Sequence, residues 1–132
     1  MVQKNIFISH SWRYADTYDK IKDWIDHSNS LSIRDYSITA EKKLERITDF
    51  QLKNAIRERI RCCSVVIVPT GIYSTYSDWI KFEVETAASM NKPIIGVDEW
   101  GQQNRSSVVD RYADTIVGWN QDSIIKAIRE YC

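Results

Sequence analysis

Two patterns of apolar and polar residues alternate along the chain, short apolar runs and longer stretches with helical spacing. The runs favour β-branched residues with little polar interruption, which is typical of strands covered on both faces of a parallel sheet. They predict strands over 4–9, 31–38, 64–69, 92–97 and 115–117. Apolar and polar residues alternate over 31–38, so we expect that strand to be half buried and nearer the sheet edge.

Helical periodicity fills most of the intervals between these runs. It predicts helices over 14–27, in the last part of 39–61, over 78–90 and over 121–132, with a short helical turn over 108–112. The second of these helices has apolar positions at Phe50, Leu52, Ile56 and Ile60. Ser77 and Asn120 precede the third and the last helix as their predicted N-caps.

The alternation of strands and helices predicts an α/β architecture. We expect a three-layer flavodoxin-like fold, with a five-stranded parallel sheet of order 2-1-3-4-5 and helices on both faces. The 132 residues suit a single domain over 1–132. Ligands bind such folds beyond the carboxyl ends of the strands, where the strand order reverses. The loops over 9–14 and 70–77 are predicted to leave neighbouring strands at that edge.

The helix over 78–90 carries a carboxylate in an unusual place. At about 100° per residue, Ile80, Val84, Ala87 and Ala88 form its apolar stripe. Glu83 projects to the edge of this stripe, about 40° from Trp79. Such a carboxylate could line a cleft beside an indole, or it could be a semi-exposed surface glutamate next to a tryptophan of the core. The pattern alone favours the second interpretation.

Several other chemistries lack support in the sequence. Ser9 and His10 are adjacent on an extended segment and point to opposite sides, which argues against a nucleophile and base pair. No Gly-rich phosphate loop is present. His10 and His27 have no partners at ligand spacing, so no metal site is predicted.

Charge and cysteine content restrict the classes of partner and the redox compartment that the sequence favours. Lys and Arg together number 18, as do Asp and Glu, so the net charge is zero and nothing favours nucleic acid or an anionic membrane. The three cysteines fit neither a disulfide scaffold nor a metal site, which suits a reducing cytoplasm. We expect Cys62 and Cys63 to be small, partly buried residues at a helix end. No membrane span or signal peptide is predicted.

Four segments in this order resemble Toll/interleukin-1 receptor (TIR)-like domains. They are the opening Ile6-Phe7-Ile8-Ser9-His10-Ser11, the buried strand over 64–69, Trp79-Ile80-Lys81-Phe82-Glu83 and the strand over 92–97. The likeness covers nearly the whole chain and is greatest to the short prokaryotic group that includes the TIR subunit of Thoeris anti-phage defence. The Arg-Asp-x-x-Pro-Gly signature of vertebrate TIR domains is not present after the second strand.

The resemblance implies an activity and a site. Many prokaryotic members cleave NAD⁺ at the nicotinamide–ribose bond, with NAD⁺ as substrate and no other cofactor, and release nucleotide signals that activate a separate effector protein. The family also self-associates through TIR–TIR contacts. By position, Glu83 matches the catalytic glutamate of the family. Substrate-binding residues are then expected in the first loop and at the helix start, at Phe7, Ser9, His10, Ser11, Trp12 and Trp79.

Two functions follow as hypotheses. The first is an NAD-cleaving enzyme, of the NAD glycohydrolase or ADP-ribosyl cyclase type, that makes a nucleotide signal in anti-phage defence. The second is a non-catalytic TIR-like module for protein–protein assembly, which would use exposed aromatic residues such as Tyr73, Tyr76 and Trp100.

Overall fold

A computed structural model describes residues 3–8, 15–27, 32–35, 48–70, 77–98 and 107–131. Strands and helices alternate through these ranges. In chain order they are β1 (Gln3–Ile8), α1 (Ala15–Asp26), β2 (Ser32–Asp35), α2 (Asp49–Cys62), β3 (Val65–Pro69), α3 (Ser77–Ser89), β4 (Ile94–Val97), α4 (Ser107–Tyr112), β5 (Thr115–Val117) and α5 (Gln121–Tyr131).

The strands form one parallel sheet in the order β2-β1-β3-β4-β5. Ile6 pairs with Val65 where β1 meets β3, and Val66 pairs with Ile94 where β3 meets β4. The strand order reverses between β1 and β3, so the connections that follow these two neighbouring strands run in opposite directions. The predicted α/β class, with a parallel sheet between helices, is confirmed.

Successive residues of the central strands enter two separate cores, one on each face of the sheet, because strand side chains alternate. The first core lies under α2, α3 and α4 and takes these residues from the strands: Phe7, Val66, Val68 and Ile94. The second core lies under α1 and α5 and takes Ile6, Ile8, Val65, Ile67, Ile95 and Val97. Burial of an Ile or Val side chain stabilises the fold by about 1.5–3 kcal/mol, so both cores contribute.

Helix α2 begins with a capping box. The Thr48 hydroxyl accepts a hydrogen bond from the Gln51 N–H at 3.1 Å, and the Thr48 N–H donates to the Gln51 side chain at 2.9 Å. The predicted apolar positions Leu52, Ile56 and Ile60 are buried in the first core. The prediction was wrong for Phe50, which is 72% exposed. At about 100° per residue, Phe50 lies about 160° from Leu52 around the helix.

Three further predictions concern the helices. Asn120 caps α5 as expected, since its Oδ1 atom accepts a hydrogen bond from the Ser123 N–H at 2.8 Å. Cys63 is buried and its thiol donates to the Ile60 carbonyl at 3.0 Å, whereas Cys62, at the end of α2, is exposed rather than partly buried. Helices in the described part of the chain are too short or too polar to cross a membrane.

Candidate functional site

Glu83 is buried inside the protein, with only 3% of its surface exposed. Helix α3 begins at Ser77, one residue before the predicted start, and the side chain of Ser77 lies outside the described part, so its cap stays a prediction. Ile80, Val84 and Ala87 of the predicted stripe are buried in the first core. Burial therefore extends past the stripe to include the carboxylate, and the interpretation of Glu83 as a semi-exposed surface residue was wrong.

The surroundings of α3 show which way Glu83 faces. The neighbouring residue Phe82 lies under the Lys53 ammonium and the Arg57 guanidinium of α2, at 5.4 and 5.1 Å from its ring centroid. On the helical projection, Glu83 lies between Phe82 and the core residue Ala87. Glu83 therefore lies between the apolar stripe of α3 and the flank at which Phe82 contacts α2.

Burial of a carboxylate has a physical cost. An ionised carboxyl loses its hydration in an apolar core, and Glu is seldom fully buried unless other groups compensate. Buried ionisable groups accordingly concentrate at functional sites, although structural networks contain them too. Thr70 and Glu83 are the buried polar residues among those the structure describes. Both belong to the β3–α3 unit, which marks this unit as the candidate site.

The carboxyl edge of the sheet holds a second polar group that the sequence analysis did not single out. Thr70 follows β3 and is fully buried, and its hydroxyl donates a hydrogen bond to the Asp98 carboxylate, which follows β4, at 2.6 Å. The main chain supports both residues, since the Thr70 N–H donates to the Val97 carbonyl at 3.0 Å and the Asp98 N–H donates to the Val117 carbonyl at 2.9 Å. The signal for this contact in the sequence is a polar residue directly after each of two neighbouring strands.

The predicted substrate-binding residues are only partly within the described ranges. Phe7 is 1% exposed and packs in the first core, the core that also contains Val84. Ser9, His10, Ser11 and Trp12 lie outside the described residues, as does the side chain of Trp79. Contacts of these residues with a substrate stay predictions.

The same limit applies to the aromatic surface and to metals. The predicted aromatic residues of an assembly surface, Tyr73, Tyr76 and Trp100, lie outside the described ranges. Within those ranges, no three His, Cys, Asp or Glu side chains come together in a group that could hold a metal ion.

The family comparison agrees with the segments that carry the resemblance. The family described as "Thoeris protein ThsB, TIR-like domain" matches residues 7–104, which include the end of β1 and all of β3, α3 and β4. The chain belongs to the ThsB TIR-like family. No curated protein matches this ThsB TIR-like chain.

Solved structures resemble this ThsB TIR-like chain in fold. The Clostridium botulinum CMP N-glycosidase BcmB is 14% identical, with a TM-score of 0.64 over 97% of this chain and 100% of that chain. A 3-dehydroquinate dehydratase-like protein from Bifidobacterium longum is 12% identical, with a TM-score of 0.50 over 99% of this chain and 95% of that chain. At such low identity the likeness concerns the fold.

Proposed function

We propose that this protein cleaves NAD⁺ at the nicotinamide–ribose bond and so makes a nucleotide signal in anti-phage defence. The observation that carries the proposal is the buried Glu83 carboxylate on α3, in a chain of the ThsB TIR-like family. Glu83 is the catalytic residue of the proposal. Phe7, Ser9, His10, Ser11, Trp12 and Trp79 are its substrate-binding residues.

A single carboxylate is sufficient for this reaction. Nicotinamide leaves as a neutral ring from a pyridinium, so its departure needs no general acid, unlike the leaving group of a glycosidase with two carboxyls. Positive charge develops on the ribose as the bond breaks. The Glu83 carboxylate would stabilise this charge electrostatically and accept hydrogen bonds from ribose hydroxyls, and both effects are stronger where water is excluded.

The structural neighbour supports the bond type and offers a second substrate. BcmB is a CMP N-glycosidase, so a protein with a similar fold acts on the N-glycosidic bond of a nucleotide. NAD⁺ also contains an N-glycosidic bond to a ribose, and its nicotinamide is already cationic. A nucleoside monophosphate such as CMP is therefore the second candidate substrate. Its neutral cytosine would have to take up a proton as it leaves, in addition to the stabilisation of the ribose charge by Glu83.

The proposal includes partners. The nucleotide product would diffuse to a separate effector protein, and contacts between copies of the chain would form a homo-oligomer. The protein would act in the cytoplasm, where NAD⁺ is available as substrate.

Purified protein incubated with NAD⁺ or CMP, followed by chromatography of the products, tests the proposal. We expect NAD⁺ loss by the wild type and a decrease of about 100- to 1,000-fold in Glu83→Gln. Glu85→Gln is the matched control because Glu85 is exposed on the same helix, and it should keep full activity. Equal turnover by Glu83→Gln and wild type would exclude Glu83 as the catalytic residue. Cleavage of CMP alone would select the second substrate, and self-association without turnover would favour the assembly module.

A further inference from the structure

A cavity of about 310 Å³ opens at the amino edge of the sheet, opposite the edge that holds Thr70 and Asp98. Its walls come from the segments before β4 and β5 and from the ends of three helices. The residues that give it chemical character are Asn91, Lys92, Ile94, Tyr112, Asp114 and Tyr131. This volume is at the lower end of the range for small-molecule sites, which suits a ligand smaller than a dinucleotide.

Residues of both charges line the cavity, the cationic Lys92 and the anionic Asp114. The Lys92 Nζ donates to the Arg61 carbonyl of α2 at 3.1 Å, and Asp114 lies next to Ile94 on the β5 side. The two charges therefore stand on opposite sides of β4. None of the ion pairs within the described ranges includes either residue.

Hydrogen bonds hold the walls of this cavity in place. The Asp114 Oδ2 atom accepts from the Ile94 N–H at 2.8 Å, and the Asp114 N–H donates to the Ile94 carbonyl at 2.8 Å. Asn91 adopts a left-handed conformation with φ of 58°, which ends α3 and starts the segment before β4. Polar groups held in this way need little reorganisation to bind a ligand, which favours affinity.

Tyr112 and Tyr131 add aromatic surface, and both are half buried. Tyrosine rings provide flat apolar area and a hydroxyl at low conformational cost, and nucleobases stack readily on such rings. A cation suits a phosphate, an aromatic wall suits a base, and a carboxylate suits hydroxyl or amino donors. A nucleoside monophosphate carries all three kinds of group. Lysine binds phosphate as a point charge, and a carboxylate accepts from ribose hydroxyls or an exocyclic amine.

We propose that this amino-edge cavity binds a nucleoside monophosphate, with its phosphate at Lys92, its base against the tyrosines and its hydroxyl or amino donors at Asp114. The cavity is separate from the Glu83 site because it lies at the other end of the strands. The proposal therefore does not depend on the proposed function.

Titration of the full-length ¹⁵N-labelled protein with AMP, followed by NMR, tests this site. We expect the amide signals of Asn91, Asp114 and Tyr131 to shift, and affinity to fall at least about tenfold in Lys92→Met and in Asp114→Asn. Asn at position 114 keeps an acceptor for the Ile94 N–H, and the spectrum of each variant reports whether it is folded. Inorganic phosphate and adenosine serve as partial probes: Lys92→Met should weaken phosphate binding and leave adenosine binding unchanged.

Matched controls keep the result specific. Lys81→Met and Asp122→Asn change exposed residues of the same charge that do not line the cavity, and we expect wild-type affinity for AMP in both. Glu83→Gln should also bind AMP at this edge. The proposal is overturned if AMP produces no shifts, if shifts occur only near Thr70 and Glu83, or if the controls lose as much affinity as the cavity variants.

Discussion

The Thr70 hydroxyl donates a 2.6 Å hydrogen bond to the Asp98 Oδ1 atom and so joins the residue after β3 to the residue after β4. Thr70→Val keeps the shape of the side chain and removes this donor. Because the Asp98 carboxylate then loses a hydrogen bond in a partly buried position, the free energy of unfolding should fall by about 1–3 kcal/mol. Urea denaturation measures it, and Thr70→Ser, which keeps a hydroxyl, is the control. Equal stability of Thr70→Val and wild type would contradict a structural role for this bond.

Gly96 on β4 permits the close approach of its neighbours. A Cβ atom there would lie 2.9 Å from the Thr70 Cγ2 atom and 3.1 Å from the Ile116 Cγ1 atom. Gly96→Ala should therefore lower the free energy of unfolding by about 1–3 kcal/mol through overpacking. At Gly118 the nearest atom would be the Asn120 Nδ2 at 3.6 Å, an ordinary contact. We expect Gly118→Ala to change the stability far less, and similar losses in both variants would argue against the steric explanation.

The capping box of α2 gives a prediction about the first turn of that helix. Thr48→Ala removes the acceptor for the Gln51 N–H, which should lower the free energy of unfolding by about 1 kcal/mol. Thr48→Ser retains the hydroxyl and should remain within a few tenths of the wild-type value. Thermal and urea denaturation of both variants distinguish loss of the cap from loss of the methyl group, since only the latter would affect them equally.

The exposed pair of Glu58 and Arg61 on α2 gives a prediction about pH. The Arg61 guanidinium hydrogen-bonds to the Glu58 carboxylate and lowers its pKa below the usual 4.5. A carboxyl whose pKa is lower in the folded state contributes stability above its unfolded pKa and loses it as the pH falls through its folded pKa. Urea denaturation should therefore show a small difference between wild type and Glu58→Gln at neutral pH. We expect that difference to vanish in acid and to shrink in high salt, and a difference independent of pH would contradict this account.

Most of the fold could be predicted because the strands have unambiguous apolar runs. Val65 to Val68 are four consecutive strand-forming residues, and all four are buried. The sequence was less informative where one residue departs from its segment. The residue type of Phe50 predicts a place on the apolar side of α2, whereas its angular position turns it to solvent. The helical projection applies to a residue near a helix end only if that residue lies inside the helix. Helix ends are uncertain by one or two residues, so the sequence does not settle this for Phe50.

The candidate site was harder to predict because its side chains come from separate segments. The family likeness points to Glu83, but a projection onto one helix cannot show that the folded chain leaves only 3% of its surface exposed. The Thr70–Asp98 contact joins residues 28 positions apart in the chain. Its prediction would have required the alignment of β3 with β4, which depends on packing between strands.

The separation of the interior into two apolar cores has a consequence for strand alignment. In a sheet with one wet face, a slip of one residue exposes apolar groups and is penalised at once. Here both faces of β3 are apolar, so a slipped strand would still bury its valines and its isoleucine. Side-chain size then discriminates between the alignments. Gly96 is the clearest case, because a Cβ atom there would lie 2.9 Å from the Thr70 Cγ2 atom and 3.1 Å from the Ile116 Cγ1 atom. Gly96 thus favours one alignment of β4 with its neighbouring strands over others that would bury similar apolar groups.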